Sequence, residues 1–310
     1  MEKILVTGAN GMLATNIIEQ LLSHGYEVVG MLRRSSSYKG PRHNSLTLHE
    51  GDFKDRTAFA EAVRGCTGVF HVAAMTKQSG SYEQFDAVNH LPVPAMLEES
   101  AKAGVHRFLY VSTANTIGCG TRENPADETT PWSGPLTQSF YARTKEAAER
   151  CVLGFTGEME TVVVNPTFMI GRYGSNKGSN TMLALAGAVS FCPKGGKNFI
   201  DVEEAARGMI LAYERGRKGE KYLICGDNYS FRQFYRLFPQ VRCTPEIPRW
   251  FMHAAGALGQ LLHRLGFPVA FTRANMGILM SEDAYHGRKA EIELGFRPAP
   301  LDPVKLNSYR

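Results

Sequence analysis

Tyr141 and Lys145 lie four residues apart in the stretch Ser139-Phe140-Tyr141-Ala142-Arg143-Thr144-Lys145-Glu146-Ala147-Ala148-Glu149. Alanine, glutamate and basic residues without Gly or Pro favour a helix there. On a helix, positions i and i+4 share a face. A free tyrosine titrates near a pH of about 10, and a neighbouring ammonium favours its phenolate. The pair therefore suits proton transfer at a carbonyl oxygen, with Tyr141 as general acid or base and Lys145 as its electrostatic tuner. Tyr173/Lys177 and Tyr285/Lys289 repeat the spacing. The first lies among turn formers (Tyr-Gly-Ser-Asn-Lys-Gly-Ser), and the second spans Gly287. Only Tyr141/Lys145 has a helical setting.

Such a pair needs a frame and a redox partner, and the start of the chain supplies signals for both. Lys3–Thr7 reads as a short buried strand, followed at once by Gly8-Ala9-Asn10-Gly11-Met12-Leu13-Ala14. Leu13, Ile17, Ile18, Leu21 and Leu22 then mark a helix ending near Gly25, and Glu27–Leu32 a second strand. In this β-turn-α-β order Gly8 permits the tight turn, and Gly11 lets backbone N–H groups approach a pyrophosphate at the helix N-terminus. Ala14 takes the third position of the fingerprint. The second strand ends in Met31-Leu32-Arg33-Arg34-Ser35-Ser36-Ser37, with no acidic residue at its tip. Arginine there accommodates the 2′-phosphate of NADP, so Arg33 and Arg34 favour NADP(H), with NAD(H) as the alternative.

The alternation continues along the chain. Strands are expected at 46–49, 68–72, 107–111, 161–164, 198–202 and 221–224, and helices at 57–63, 81–103 (prolines at 92 and 94) and 203–215. The fold expected is α/β, a doubly wound parallel sheet (a Rossmann fold) with a smaller, mostly helical C-terminal substrate-binding region. Residues 1–170, with 197–226 contributing, are assigned to cofactor binding, and 171–310 mainly to the substrate. Ligands in such sheets bind beyond the carboxyl ends of the strands. That brings the 8–14 turn, Arg33, Ala73-Ala74-Met75, Ser112-Thr113 and Pro166–Met169 to one place, with Asp52 and Phe53 set to flank an adenine.

Composition excludes several classes. The net charge of +5 is spread through both signs, with no basic arm for nucleic acid. Six scattered cysteines (66, 119, 151, 192, 225 and 243) form no Cys-x-x-Cys pair, which indicates neither a zinc cluster nor a disulfide framework. Residues 1–8 leave no room for a signal peptide, so the expected setting is cytoplasmic. No apolar run reaches the roughly 20 residues of a membrane span. The nearest, Trp250–Leu265, is broken by His253, Gln260, His263 and Arg264. It reads as a helix of the substrate region, with a membrane-surface helix as the lesser alternative.

With Thr7-Gly8-x-x-Gly11-x-x-Ala14, Ser112-Thr113, Tyr141-x-x-x-Lys145 and Asn165-Pro166-Thr167 in order, the chain resembles the extended short-chain dehydrogenases/reductases, the superfamily of NAD-dependent epimerases and dehydratases. Arg33, the stretch Asn165–Gly171 and the ending Lys289-Ala290-Glu291-x-x-Leu294-Gly295-Phe296-x-Pro298 look most like its dihydroflavonol-4-reductase-like branch. The resemblance implies Thr113, Tyr141 and Lys145 as the catalytic set, with Lys145 also holding the nicotinamide ribose and Ser112 as the neighbouring alternative to Thr113. It implies cofactor contacts from Gly8, Asn10, Gly11, Met12, Leu13, Arg33, Arg34, Asp52, Phe53, Ala73, Ala74, Met75, Val111, Tyr141, Lys145, Pro166, Phe168 and Met169. Asn89 matches an asparagine that orders a water relay in some relatives; its other reading is a cap on the kink before Pro92.

Departures from the family narrow the chemistry. Thr113 is followed by Ala114-Asn115 where sugar-nucleotide dehydratases carry Asp-Glu, which argues against dehydration. Ile117-Gly118-Cys119-Gly120 stands where the plant flavonoid enzymes carry a substrate-binding Asn, which argues against dihydroflavonol itself. The expected function is NADPH-dependent reduction of a small-molecule aldehyde or ketone. A nucleotide-sugar epimerase is the alternative, and a non-catalytic cofactor sensor comes third. A small-molecule substrate is expected, with no nucleic acid and no membrane span, and a homodimer is compatible with everything above.

Overall fold

The computed structural model describes residues 2–76, 80–175, 178, 180–186, 191–238, 245–265, 267, 269 and 271–309. Its first half runs β1 (Lys3–Thr7), α1 (Met12–Ser23), β2 (Glu27–Leu32), β3 (Leu46–Glu50), α2 (Arg56–Val63), β4 (Gly68–His71), α3 (Tyr82–Asn89), α4 (Val93–Lys102) and β5 (Arg107–Val111). Next come α5 (Phe140–Leu153), β6 (Glu160–Pro166), β7 (Phe168–Ile170), α6 (Thr181–Leu185), β8 (Cys192–Pro193), β9 (Gly196–Asp201), α7 (Val202–Arg215) and β10 (Glu220–Ile224). The chain ends with β11 (Asp227–Ser230), α8 (Phe231–Arg236), β12 (Glu246–Ile247), α9 (Arg249–Arg264), α10 (Arg273–Met280), β13 (Glu282–Asp283) and α11 (Pro303–Asn307).

Seven strands form one sheet in the order β10-β6-β5-β4-β1-β2-β3, and every pairing in it is parallel. Strand alternation sends Ile4 and Val6 to one face, against α1 and α7, and Leu5 to the other, against α2, α4 and α5. Both faces are therefore dry, as a parallel sheet requires. The order reverses between β1 and β4, and the strand ends there open onto a shared crevice.

Two expectations change. The single helical pattern over 81–103 is two helices, because Pro92 has no N–H and caps α4 instead of continuing α3. The 198–202 strand does not join the main sheet. As β9 it pairs in parallel with β7 and β13 and antiparallel with β11, so of the 197–226 stretch only α7 and β10 complete the main sheet and its flank. The C-terminal part is mainly helical, as expected, with the short strands β11, β12 and β13 between its helices.

The second sheet covers its own core, where Phe199 stacks on Phe234 at 4.2 Å between centroids and Phe231 and Phe238 close the sides. Removing the Phe234 side chain leaves a cavity in a fully buried cluster. Phe234→Ala should therefore lower the unfolding free energy by about 3–5 kcal/mol, read from denaturant titrations. A loss below about 1 kcal/mol would mean that this core does not support the fold.

Candidate active site

Ser139 caps α5, accepting from the Ala142 N–H, and so sets the start of the helix that carries Tyr141 and Lys145. Lys145 is buried; its Nζ donates to Val111 O at 2.6 Å and lies 4.1 Å from the centre of the Tyr110 ring. Desolvation lowers its pKa to about 7, with the Glu149 carboxylate pulling it back up. The Thr113 side chain stands near enough to the Tyr141 hydroxyl to hold its pKa down, but Tyr141, although part of its surface is exposed, has its hydroxyl deep enough that desolvation outweighs this and pushes it up to about 12. The Val111 carbonyl is thus occupied by Lys145.

A carboxylate that the motif reading passed over organises this corner. Glu149 lies one turn beyond Lys145 and is buried. Its Oε2 accepts from Ser112 Oγ at 2.7 Å and Asn165 Nδ2 at 2.9 Å, with Thr116 Oγ1 also 2.9 Å away, and Lys221 Nζ stands 3.4 Å from Oε1. Asn165 Nδ2 also reaches Thr113 O at 3.1 Å. Ser112 is thereby turned into the helix, away from Tyr141, and Thr113 is the residue that faces it. The spacing 141, 145, 149 on one helical face is the signal that could have found Glu149. Tyr285 gave no such signal, but its hydroxyl reaches Ala114 O at 3.4 Å, on the same loop. Lys289 bonds elsewhere, to Glu220 and Lys221 O, and Lys177 lies outside the described residues.

Asn89 neither caps the turn before Pro92 nor faces solvent. Buried at the end of α3, its side chain accepts from Met75 N at 2.7 Å and donates to Met75 O and to Thr144 Oγ1. It fixes the 73–75 segment against α5. Across the crevice, Gly8 has φ +71, and a Cβ there would sit 3.0 Å from Ala73 Cα and Cβ. The turn and the 73–75 segment can approach this closely only with no side chain at position 8. Thr7 Oγ1 accepts from the Val72 and Ala73 N–H groups and meets His71 Nδ1 at 2.8 Å. Its own proton therefore goes to His71, and burial first, then Lys145, hold that imidazole neutral with a pKa lowered to about 3.

Gly11 is the N-cap of α1, with no side-chain cap and no acidic residue in the first turn. A Cβ there would crowd Gly8 O at 3.2 Å. This bare, positively polarised helix end with a glycine cradle fits a pyrophosphate. Asn10, Arg33 and Arg34 are exposed around it, and Asn10 Nδ2 donates to Ser37 Oγ. Glu50, at the end of β3, accepts from the Ser35 N–H at 2.7 Å and from the Ser35 hydroxyl, ordering the loop that carries both arginines. Phe53 stands edge-on to His71 at 5.4 Å, next to Asp52. Pro166 ends β6; Met169 packs on the main core, whereas the Phe168 ring turns edge-on to Phe199 in the second core.

Residues 4–225 match the model of the NAD dependent epimerase/dehydratase family. The chain belongs to that family. It is 32% identical over 99% of its length to a 3-beta-hydroxysteroid dehydrogenase of Mycolicibacterium neoaurum, covering 83% of that protein. It is 27% identical over 94% of its length to a putative dihydroflavonol 4-reductase of a Synechocystis strain, covering 88% of it. The crystal structure of gox2253 superposes with a TM-score of 0.85 at 24% identity, covering 100% of this chain and 97% of that one. This places the chain among the extended short-chain dehydrogenases/reductases, enzymes that use NAD(P) on CH–OH and C=O groups.

The ionisation of Lys145 links this site to stability. Its folded pKa lies below the unfolded value, so between the two the unfolded chain binds more protons and stability rises with pH. Replacing it with an uncharged chain of similar length removes that slope. Lys145→Met should gain stability over the parent below a pH of about 7 and lose that gain as pH rises towards 10, measured by denaturant unfolding across the range. A pH-independent difference would mean that Lys145 is not desolvated in the folded state.

Proposed function

We propose that this enzyme reduces a small-molecule aldehyde or ketone with NADPH. The observation that carries the reading is the Thr113 side chain beside the Tyr141 hydroxyl on the helix of a buried Lys145, at the strand ends beside the bare N-terminus of α1. A bound nicotinamide supplies the hydride. Gly8, Gly11 and the first turn of α1 would hold its pyrophosphate, and Ala73–Met75, fixed by Asn89, would pass along its flank. The Tyr141 hydroxyl, protonated at neutral pH, donates its proton to the carbonyl oxygen as charge develops there. Thr113 donates a second hydrogen bond to that oxygen. The Lys145 ammonium next to them favours the resulting tyrosinate and would reach the nicotinamide ribose.

The likeness to a hydroxysteroid dehydrogenase across almost the whole chain supports hydride exchange at a secondary alcohol or ketone as the reaction, and an apolar carbonyl compound as the substrate class. Arg33 and Arg34 support NADPH: both are exposed, and no described acidic side chain pairs with either.

Tyr141→Phe should abolish turnover while leaving cofactor affinity nearly unchanged, measured by steady-state kinetics and fluorescence titration with NADPH. Thr113→Val should lower kcat by about 10²-fold, and Thr113→Ser should restore most of it. A silent Thr113→Val would remove Thr113 from the mechanism.

Cofactor choice is tested separately. Arg33→Asp should weaken NADPH by about one to two decades, the loss of a charge-assisted bond, and leave NADH little changed. Equal effects on both cofactors would exclude a contact to the 2′-phosphate. Tight cofactor retained through gel filtration, with no net NADPH oxidation on any carbonyl substrate, would favour the epimerase reading instead.

A further inference from the structure

The helical pair α9 and α10 carries a surface that the reaction does not use. On α9, Met252, Gly256 and Gly259 are buried, and the two glycines let α10 approach: a Cβ on Gly256 would sit 3.2 Å from Arg273 Cα, and one on Gly259 2.0 Å from Phe271 O. The opposite side of α9 presents Trp250, Phe251, Leu258, Leu261 and Leu265, spaced as one helical stripe, with Phe267 just beyond. Trp250 is 71% exposed and Leu265 65%. Large apolar side chains gathered this way are not the scattered exposure of an ordinary surface.

The charge around the stripe is of one sign. From Arg249 to Ser281 the sequence contains no Asp or Glu. Arg249 is drawn to Glu282, while His253 and Arg264 are exposed on α9 at the edge of the stripe. A second copy docking face to face through this surface would bring arginine against arginine, which disfavours an isologous dimer. An aromatic and leucine stripe flanked by cations matches instead the boundary between anionic headgroups and acyl chains.

We infer that α9 is an interfacial helix that docks the enzyme onto an anionic lipid bilayer, burying the Trp250–Leu265 stripe among the acyl chains with Arg264 at the headgroups. No helix among the described residues is long and apolar enough to cross a membrane, so the contact is with the surface. The α10 partner also packs on the turn Pro135–Gln138, which leads directly into α5. A docked α9 would thus hold the substrate side of the crevice near the lipid. The inference does not depend on the proposed reaction, since lipid binding is measured without turnover.

Full-length protein is floated with vesicles of phosphatidylcholine alone and of phosphatidylcholine mixed with phosphatidylglycerol. The expected result is binding to the mixed vesicles that weakens with added salt. Leu258→Glu/Leu261→Glu changes two exposed side chains, so its melting temperature should match the parent while its vesicle binding falls at least about tenfold. Arg264→Gln, which removes one charge, should weaken binding to the anionic vesicles about fivefold. No flotation of the parent protein, or undiminished flotation of the leucine variant, would overturn the inference. A parent dimer that the leucine variant splits, with no vesicle binding, would overturn it too and assign the stripe to a second copy.

Discussion

Burial of the Lys145 ammonium at the carboxyl edge of the sheet is the constraint around which the site is built. Desolvating a cation is expensive unless oxygen atoms and aromatic faces replace water. The Val111 carbonyl, the Tyr110 ring and the Glu149 carboxylate one turn away on α5 do so. Each partner constrains a different element: Val111 the end of β5, Tyr110 its interior, and Glu149 the loop after β5 and the end of β6 through Ser112 and Asn165. The position of Thr113 follows, because Ser112 is committed to Glu149 and extended backbone turns the next residue to the other side.

The opposite wall of the crevice relies on close backbone approach. Gly8 nearly touches Ala73, and the Thr7 hydroxyl ties the end of β1 to the start of the 73–75 segment. Asn89 then fastens Met75 to α5 through Thr144. The two walls are thus joined by side-chain hydrogen bonds to backbone, so the proton-donor side and the phosphate side keep a constant spacing.

The second sheet and the helices behind it sit outside this frame. Their aromatic core is separate from the two cores flanking the main sheet, and β7 links them by running from Pro166 directly into a pairing with β9. The element that ends the cofactor crevice is therefore also the edge on which the C-terminal sheet is assembled. Chemistry can stay constant on one side of that junction while the apolar surfaces on the other side vary.

Local periodicity was enough to place the seven main strands, α1, α5 and α7, because each buries one face and its pattern is set by neighbours in sequence. The same locality made Tyr141/Lys145 readable, since both partners lie on one helix, and made Gly8 and Gly11 readable, since a tight turn needs them wherever it occurs. Tertiary pairing decided the rest. The strand at 196–201 has an ordinary strand pattern, and nothing within it says which sheet it joins. Thr113 and Ser112 are equivalent in sequence until Glu149, 37 residues after Ser112, claims the Ser112 hydroxyl. Asn89 could cap or relay by its own chain context, and only the fold brought Met75 and Thr144 to it. Only the fold brought the Phe168 ring edge-on to Phe199 in the second core. The division has a physical reason: periodicity and turn chemistry act within a few residues, whereas the partners of a buried polar group come from distant segments that only the folded chain brings together.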